Sequence, residues 1–262
     1  MARQNKPPRW LEAARLRTVA TNEKEWLSRA LARAGILPLP EAEAAISAVR
    51  VKVDAHLTTE PFAPLTRGAR VTLDGQLVSV DFHTRVLAFH KPKGLITHGS
   101  DPEGIGTVFD GLRSVLTPEL QGYGWHAVGR LDRDTTGLLL FTNDERFVAH
   151  ATQPATHLPK RYLALVGADL TEDQLERLRG GLELDDGPTR PAQARVRGPR
   201  KIELTITEGR FHQVKRMLQA VGLVTLELHR EAIGDLRCDV PLGQFRELTA
   251  EELRTALQYE PR

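Results

Sequence analysis

The feature that most constrains the fold is a series of short apolar segments after residue 85, bounded by turns that contain glycine or proline. Segments of this length, rich in branched and aromatic residues, are typical of buried strands. We predict strands over residues 86–90, 95–97, 138–142, 162–166, 202–207 and 224–228. Helices do not alternate strictly with these strands. The order therefore favours an α+β domain with a mixed, largely antiparallel sheet over a doubly wound parallel sheet.

Helical patterns occur between and after these strands. Thr171 and Thr249 are each followed three residues later by glutamine or glutamate, which is the spacing of a capping box. A third segment repeats apolar residues on one helical face from Phe211 to Val221 and is followed by Gly222. The predicted helices cover residues 172–179, 211–221 and 250–257.

The region before residue 83 has a different pattern. Residues 1–23 carry mixed charge with little periodicity, and we predict a flexible basic extension there. Residues 24–82 predict a small α/β unit with helices over 25–34 and 41–49 and strands over 51–53 and 70–73, the last followed by an Asp74-Gly75 turn. Residues 83–262 then form the larger domain.

Composition limits the class of protein. With 262 residues, 40% of them hydrophobic and 27% charged, the chain can bury a core and lacks the bias of a disordered protein. No apolar run approaches the roughly 20 residues of a spanning helix, and no apolar stretch follows the basic start. We expect a cytoplasmic protein without a membrane anchor.

The cysteine and histidine content argues against the common metal sites. Cys238 is the single cysteine, so a zinc site built on several thiolates is excluded. The nine histidines are scattered, and none falls in a His-Glu-x-x-His pattern. We expect no bound metal.

Positive charge is concentrated in two parts of a chain whose formal net charge is only +2. Residues 190–230 contain nine basic and three acidic side chains, and residues 1–20 contain five basic and one acidic. This distribution is typical of proteins that bind a polyanion, but solvated surfaces produce it as well. In the N-terminal unit, Arg29, Arg33, Arg50 and Lys52 are candidate phosphate contacts, with an ordinary surface role as the alternative.

The densest group of polar residues lies between residues 128 and 144. A loop with two acidic residues and two glycines leads directly into the buried strand predicted over 138–142. Side chains of such a loop lie at one end of the sheet and are held in place by the rigid strand that follows. Reacting groups are often found at such positions. From spacing alone, the alternative is a surface turn in which Asp132 or Asp134 caps backbone donors.

This loop also resembles a known family. The sequence GRLD at residues 129–132, followed by TTG at 135–137, is similar to the signature loop of the RNA pseudouridine synthases, in the branch that modifies ribosomal RNA and carries an N-terminal S4 domain. Segments 91–94, 160–162, 208–217 and 227–234 resemble further motifs of that family, in the same order. The form of the segment after Arg210 is most similar to the enzymes of small-subunit 16S rRNA. Residues 24–82 resemble the S4 RNA-binding domain, except that acidic residues open the second helix.

The resemblance implies isomerisation of one uridine, in ribosomal RNA or in a small-subunit assembly intermediate, without cofactor or metal. Nothing in the sequence requires more than a monomer, which is the state we expect. The resemblance assigns catalysis to Asp132, an ion pair with that carboxylate to Lys215, and stacking on the extruded uracil to Tyr162. The predicted RNA-binding residues are Arg130, Arg210, Arg216, His212, Lys91, Lys93, Arg29 and Arg33.

Three other functions stay open. The chain could modify 23S rRNA of the large subunit, or it could bind RNA during ribosome assembly without catalysis. Asp132 and Asp134 also have the Asp-x-Asp spacing of a metal-dependent glycosyltransferase. Such an enzyme would lose its activity with a chelator and regain it with Mn²⁺ or Mg²⁺.

Overall fold

The computed structural model describes residues 24–80, 83–99, 101, 103–153, 156 and 158–261. The chain divides into two units, one ending at Phe82 and the other running from His83 to Pro261. The predicted basic extension, residues 1–23, lies outside the described residues. Within the described ranges, every helix falls short of the length and apolar character that a membrane span requires.

The N-terminal unit has two short helices and a small antiparallel sheet. Its elements are β1 (Lys24–Trp26), α1 (Leu27–Arg33), α2 (Leu39–Ser47), β2 (Val51–Val53), β3 (His56–Leu57), β4 (Pro64–Thr66), β5 (Val71–Leu73) and β6 (Gln76–Val78). β1 pairs with β4, and the other strands form a sheet in the order β3-β2-β5-β6. Buried side chains from both helices and from β2, β4 and β5 form one apolar core.

Both helices of this unit start at positions different from those predicted. α1 begins at Leu27 rather than residue 25, because Trp26 is extended (φ −72°, ψ 137°) and pairs with Pro64. α2 begins at Leu39 rather than residue 41 and ends before Val49, whose φ of 61° is incompatible with a helix. The predicted turn after β5 is confirmed, since Asp74 and Gly75 have the positive φ angles (51° and 81°) of a tight hairpin.

The second unit is built on a nine-stranded sheet with helices around it. Its elements are β7 (Val86–Lys91), α3 (Val108–Arg113), α4 (Pro118–Gln121), β8 (His126–Val128), β9 (Thr136–Thr142), α5 (Glu145–Thr152), β10 (Lys160–Val166), α6 (Glu172–Gly180), β11 (Glu183–Leu184), β12 (Gly187–Pro188), β13 (Gln193–Gly198), β14 (Lys201–Ile206), α7 (Gln213–Ala220), β15 (Thr225–Ile233), β16 (Leu236–Arg237), β17 (Phe245–Glu247) and α8 (Ala250–Thr255).

The strand order confirms the predicted architecture. The main path is β13-β14-β10-β15-β9-β7-β17, with β16 beside β15 and β8 beside β9. β9 and β15 run parallel, whereas the other pairs described in this sheet are antiparallel. The domain is therefore α+β with a mixed, largely antiparallel sheet.

Three predicted elements of this unit need correction. Residues 95–97 do not form a strand, because the chain turns at Gly94 (φ 99°) and Ile96 then makes only an isolated bridge to Thr107. The helix predicted from residue 211 begins at Gln213, since His212 is in the left-handed region with φ 48°. The strand predicted over 224–228 extends to residue 233, because it pairs with β10 along that whole stretch.

Helix α7 is held against the sheet by one buried face. Val214, Met217 and Leu218 are at most 4% exposed and belong to an apolar core shared with β10 and β14. Burying side chains of this size contributes roughly 1.5–3 kcal/mol each. Lys215 follows Val214 and lies on a different face of the helix, so this packing fixes where its ammonium group can reach.

Candidate active site

The loop of residues 129–135, between β8 and β9, is held in place by its buried residue Leu131. Leu131 is 6% exposed and belongs to the core beneath the loop. The Thr97 hydroxyl donates to the Leu131 carbonyl oxygen (2.8 Å) and accepts from the Leu131 amide (3.2 Å). Asp132 is the next residue, and its side chain is one quarter exposed. The anchored leucine therefore presents the adjacent carboxylate at a fixed place on the surface.

A glycine permits the strand after this loop to approach β15. Gly137 has φ 112° and pairs with Arg230. A Cβ at this position would lie 2.6 Å from the Arg230 backbone nitrogen and closer still to the Arg230 carbonyl oxygen. Only glycine fits this close approach of two backbones. Gly137, the last residue of the TTG sequence, is therefore required for β9 to pack against β15.

Lys91 lies beneath the loop. Its side chain is completely buried, and Nζ donates to the carbonyl oxygens of Pro92 (3.0 Å), Arg133 (3.3 Å) and Thr135 (2.9 Å). Burial lowers the pKa of Lys91 to about 8, although Asp134 and Asp132 act in the opposite direction. This burial corrects the expectation that Lys91 contacts RNA, since its donors hold the loop backbone instead.

The two loop carboxylates share one ammonium group. Lys215 Nζ lies 3.0 Å from Asp132 Oδ2 and 2.5 Å from Asp134 Oδ1. Burial lowers the pKa of Lys215, but the hydrogen bonds to Asp134 and Asp132 outweigh it and raise the pKa above its usual value. The hydrogen bond from Lys215 lowers the pKa of Asp134, which is 70% exposed. The predicted ion pair between Lys215 and Asp132 is present.

His212 reaches Asp132 from the start of α7. Its Nε2 lies 3.3 Å from Asp132 Oδ1, a position made possible by its left-handed backbone. Its ring stacks on the ring of Phe211 with centroids 3.7 Å apart, and Phe211 is 67% exposed. The sequence assigned Phe211 to the core face of the helix. The structure instead places it outside the helix as an exposed ring that lines the cavity together with the loop of residues 129–135.

A cavity of about 470 Å³ opens beside Asp132. Its lining includes Arg130, Asp132, Tyr162, Arg210, His212 and Arg230. The volume lies within the range of small-molecule sites and can accept a nucleoside. Tyr162 is half-buried and packs against the cores on both sides of it, which fixes its ring in the cavity wall.

Two cavity residues were not identified from the sequence. Lys160 lies in the cavity wall, and burial, followed by repulsion from Arg230, lowers its pKa to about 8. Arg230 is 4% exposed, and its Nε donates to the Leu138 carbonyl oxygen (2.7 Å). Its Nη2 is buried without a hydrogen-bond partner among the described residues. Because the strand TLELHREAI also contains two glutamates and a histidine, nothing in the sequence distinguished Arg230 as a buried cavity residue.

Arg210 and Arg216 are held by the β11–β12 hairpin. Arg216 binds both carboxylate oxygens of Asp186, at 2.9 and 3.0 Å. Arg210 contacts the Asp186 carboxylate, the Glu208 carboxylate and the carbonyl oxygens of Gly187 and Pro188. The Arg216 hydrogen bond, assisted by Arg210, lowers the pKa of Asp186 to about 2. Both arginines thus brace the start of α7, and their contact with RNA stays a prediction.

The other predicted RNA-binding residues lie at the surface or in the N-terminal unit. Arg130 is exposed at the cavity rim, and Lys93 is exposed with Glu227 at 3.6 Å. Arg29 lies over the Trp26 ring at 4.5 Å. The Arg33 side chain is 6% exposed and pairs with Glu25 at 3.1 Å. That burial corrects the expectation for Arg33, because its guanidinium group is covered.

Of the two further candidates in this unit, Arg50 binds Asp74 through Nε at 2.8 Å, and Lys52 is exposed on β2. Since Arg50 already shares its charge with a carboxylate, Lys52 is the more accessible of the two to a phosphate.

The Asp-x-Asp alternative is disfavoured by this geometry. A divalent cation would have to lie between the carboxylates of Asp132 and Asp134, where the Lys215 ammonium group already lies within 3.0 Å of both. Two positive centres at that position would repel each other strongly. The carboxylates of Asp132 and Asp134 are therefore positioned to bind the ammonium group of Lys215.

Comparison with known proteins identifies the family. A family model described as RNA pseudouridylate synthase matches residues 85–220. The ribosomal small subunit pseudouridine synthase A of Yersinia pestis is 37% identical over 212 residues, 79% of this chain and 88% of the relative. The ribosomal large subunit pseudouridine synthase B of Escherichia coli (strain K12) is 37% identical over 235 residues, 86% of this chain and 79% of the relative.

A solved structure gives the same result. The chain described as "Crystal structure of pseudouridylate synthase" superimposes with a TM-score of 0.61 and 28% sequence identity, covering 88% of this chain and 99% of that chain. The family match spans Asp132 and Tyr162, which line the cavity, and Lys215, which is paired with Asp132. This chain therefore belongs to the RNA pseudouridylate synthase family of isomerases.

Proposed function

We propose that this enzyme isomerises one uridine of ribosomal RNA to pseudouridine, with the Asp132 carboxylate acting on an extruded nucleotide. The observation that carries the proposal is the position of Asp132, which lines a cavity of nucleoside size and is paired with Lys215 at 3.0 Å. The relatives named above act, by their names, on ribosomal subunits. A ribosomal RNA substrate agrees with the expected cytoplasmic location.

The reaction needs an ionised carboxylate at the sugar. The N1–C1′ bond breaks, the uracil rotates, and a C5–C1′ bond forms, while C5 loses a proton and N1 gains one. A carboxylate can attack C1′, stabilise charge that develops there, or remove a proton from the sugar. All three roles require the deprotonated form of Asp132. The Lys215 ammonium group, 3.0 Å from Asp132 Oδ2, supplies a compensating positive charge beside the carboxylate.

The cavity wall supplies contacts for the extruded base. Extrusion costs roughly a few kcal/mol, which stacking and hydrogen bonds in the pocket must offset. Tyr162 offers an aromatic face for the uracil. Nη2 of Arg230, which has no hydrogen-bond partner in the described part of the chain, is a buried donor suited to one of the uracil carbonyl oxygens. Binding the base would satisfy that donor, which favours uracil over an apolar ring of the same size.

Positive side chains outside the cavity are proposed to hold the RNA backbone. Arg130 at the rim and Lys93 beside the loop are both exposed. The N-terminal unit adds Lys52 and Arg29, and we propose that it binds RNA as S4 domains do. Because such contacts release counterions, RNA affinity should fall steeply as salt increases.

The small-subunit 16S rRNA is the proposed substrate, as RNA or within an assembly intermediate, with the enzyme acting as a monomer. The support is the form of residues 212–217, HQVKRM, whose histidine reaches Asp132 at 3.3 Å. The alternative is 23S rRNA, because relatives named for the large subunit are equally identical and match more of this chain.

Pseudouridine mapping tests this assignment. Unmodified 16S and 23S transcripts and immature small subunits are each incubated with the enzyme, and rRNA from cells lacking the protein is mapped in parallel. The proposal expects one new pseudouridine in 16S rRNA and its loss from the deletion strain. Conversion in 23S rRNA alone would assign the enzyme to the large subunit, and no conversion in any substrate would contradict the proposed function.

A further inference from the structure

His90, His229 and Cys238 converge on the face of the sheet opposite to the catalytic cavity. One ligand atom of each residue lies within 4.8 Å of the ligand atoms of the other two. All three side chains are half-buried. We propose that these residues bind one zinc ion, which links β7, β15 and the segment that follows β16.

Strand alternation separates this cluster from catalysis. Successive side chains of a strand point to opposite faces of a sheet. Lys91 reaches the catalytic loop and Arg230 lines the cavity, so their neighbours His90 and His229 point the other way. The three residues of the cluster are absent from the cavity lining. The site is therefore structural with respect to pseudouridine formation.

Hydrogen bonds orient both imidazoles for metal binding. His90 Nδ1 lies 2.9 Å from the Val240 carbonyl oxygen, which can only accept, so His90 carries its proton on Nδ1 and leaves Nε2 as a lone-pair donor. His229 Nδ1 lies 2.8 Å from the Thr136 hydroxyl, and when that hydroxyl accepts the hydrogen bond, His229 Nε2 carries the lone pair that a metal needs. Metal-binding histidines are commonly fixed in this way by a partner on the second nitrogen.

The backbone also holds the thiol in place. The Cys238 amide donates to the Glu231 carbonyl oxygen (2.8 Å), which keeps Cys238 beside the strand of His229. The rings of His90 and His229 are in edge-to-face contact with centroids 5.4 Å apart. Tetrahedral zinc with bonds of about 2.0–2.3 Å requires ligand atoms about 3.5 Å apart. Zinc binding would therefore bring these atoms closer together than their present separation of up to 4.8 Å.

The donor set determines the class of metal. Two imidazoles and one thiolate suit zinc and copper and exclude magnesium and calcium, which prefer oxygen ligands. On binding, the Cys238 thiol releases its proton to solvent, a sulfur–zinc bond forms, and water completes the fourth position. The sequence predicted no metal because the ligands converge only through strand pairing: β9 lies between the strands of His90 and His229.

Cobalt titration of the metal-free, full-length protein tests the site. Co²⁺ bound to a thiolate gives a sulfur-to-metal charge-transfer band in the near ultraviolet, and Cys238 is the only cysteine in the chain. We expect the band to saturate at one equivalent of Co²⁺ and to disappear on addition of Zn²⁺. Zinc should also raise the melting temperature of the wild-type protein.

Variants separate this cluster from other zinc-binding histidines. Cys238→Ser should remove the band, and both Cys238→Ser and His90→Ala should weaken zinc binding at least about tenfold. His56→Ala, at an exposed histidine of the N-terminal unit, is the matched control and should bind zinc as the wild type does. The absence of a band in the wild-type protein, or unchanged zinc affinity in both cluster variants, would overturn the proposal. Cys238→Ser should still form pseudouridine, so failure of the zinc site leaves the catalytic proposal intact.

Discussion

The Nζ atom of Lys215 lies 3.0 Å from Oδ2 of Asp132. The lysine comes from a helix pinned by its buried face, and the aspartate from a loop anchored by Leu131. Neither side chain has to move to form the pair. The arrangement places a positive charge directly beside the carboxylate that lines the cavity.

Replacing the shared lysine should impair catalysis more than replacing the second aspartate. Lys215→Met leaves Asp132 without its ammonium partner, and we expect the rate of pseudouridine formation at saturating RNA to fall about 100-fold, a typical loss for a preorganised electrostatic group. Asp134→Asn is the control, since that carboxylate is 70% exposed, and it should lose less than about tenfold. Equal losses in the two variants would contradict a special role for the Asp132–Lys215 pair.

Tyr162 should act through its ring. Stacking of a base on an aromatic side chain contributes roughly 1–3 kcal/mol, so Tyr162→Ala should slow conversion about 5- to 150-fold. Tyr162→Phe keeps the ring and should stay near the wild-type rate. RNA affinity, measured by filter binding, should change little in either variant because phosphate contacts dominate it. A phenylalanine variant as slow as the alanine variant would show that the hydroxyl matters instead.

The buried lysine should position the loop without touching RNA. Lys91→Met removes three hydrogen bonds to backbone carbonyls, two of them in the loop of residues 129–135, and should lower the maximal rate with little change in the Michaelis constant. Lys93→Met is the matched control at an exposed site and should change RNA affinity more than the maximal rate. If both variants alter only RNA affinity, Lys91 does not have this positioning role.

The depressed pKa of Lys91 also predicts an alkaline limit. Its pKa is about 8, so the ammonium loses its proton as the pH rises through 8, and a neutral amine cannot donate to three carbonyl oxygens at once. The maximal rate should therefore decline above about pH 8. Lys160, whose pKa is also about 8, could produce the same decline, so the profile is repeated with Lys160→Met. The decline of the maximal rate above about pH 8 should persist in the Lys160→Met variant. The assignment to Lys91 would be contradicted by a wild-type maximal rate that stays constant up to about pH 9.5. It would also be contradicted if Lys160→Met no longer showed the decline.

Local signals in the sequence were sufficient for much of the fold. The capping boxes at Thr171 and Thr249 are present in the structure, and both begin helices at the predicted residue. Helix ends were less predictable, because they depend on backbone conformations such as that of His212 and on strand pairing such as that of Trp26. These features come from contacts across the fold, which periodicity does not record.

The grouping of the three residues proposed for catalysis was predictable only because the motifs of the family occur in a fixed order. Asp132, Tyr162 and Lys215 come from a loop, a strand and a helix, and all three lie at or beside the cavity. Two features of the site could not be predicted from the sequence. They are the burial of Lys91 and the buried Nη2 donor of Arg230. The first depends on the loop that covers it, and the second on the parallel pairing of β9 and β15.

The most direct measurement compares wild-type protein with Asp132→Asn on unmodified 16S rRNA, under single-turnover conditions, with pseudouridine quantified at each position. The substitution retains the size and polarity of the side chain and removes only its ionisable oxygen. We predict full conversion of one uridine by the wild-type protein and no detectable product from the variant, with RNA binding preserved in both. Equal product from the two proteins would contradict the central role of the Asp132 carboxylate.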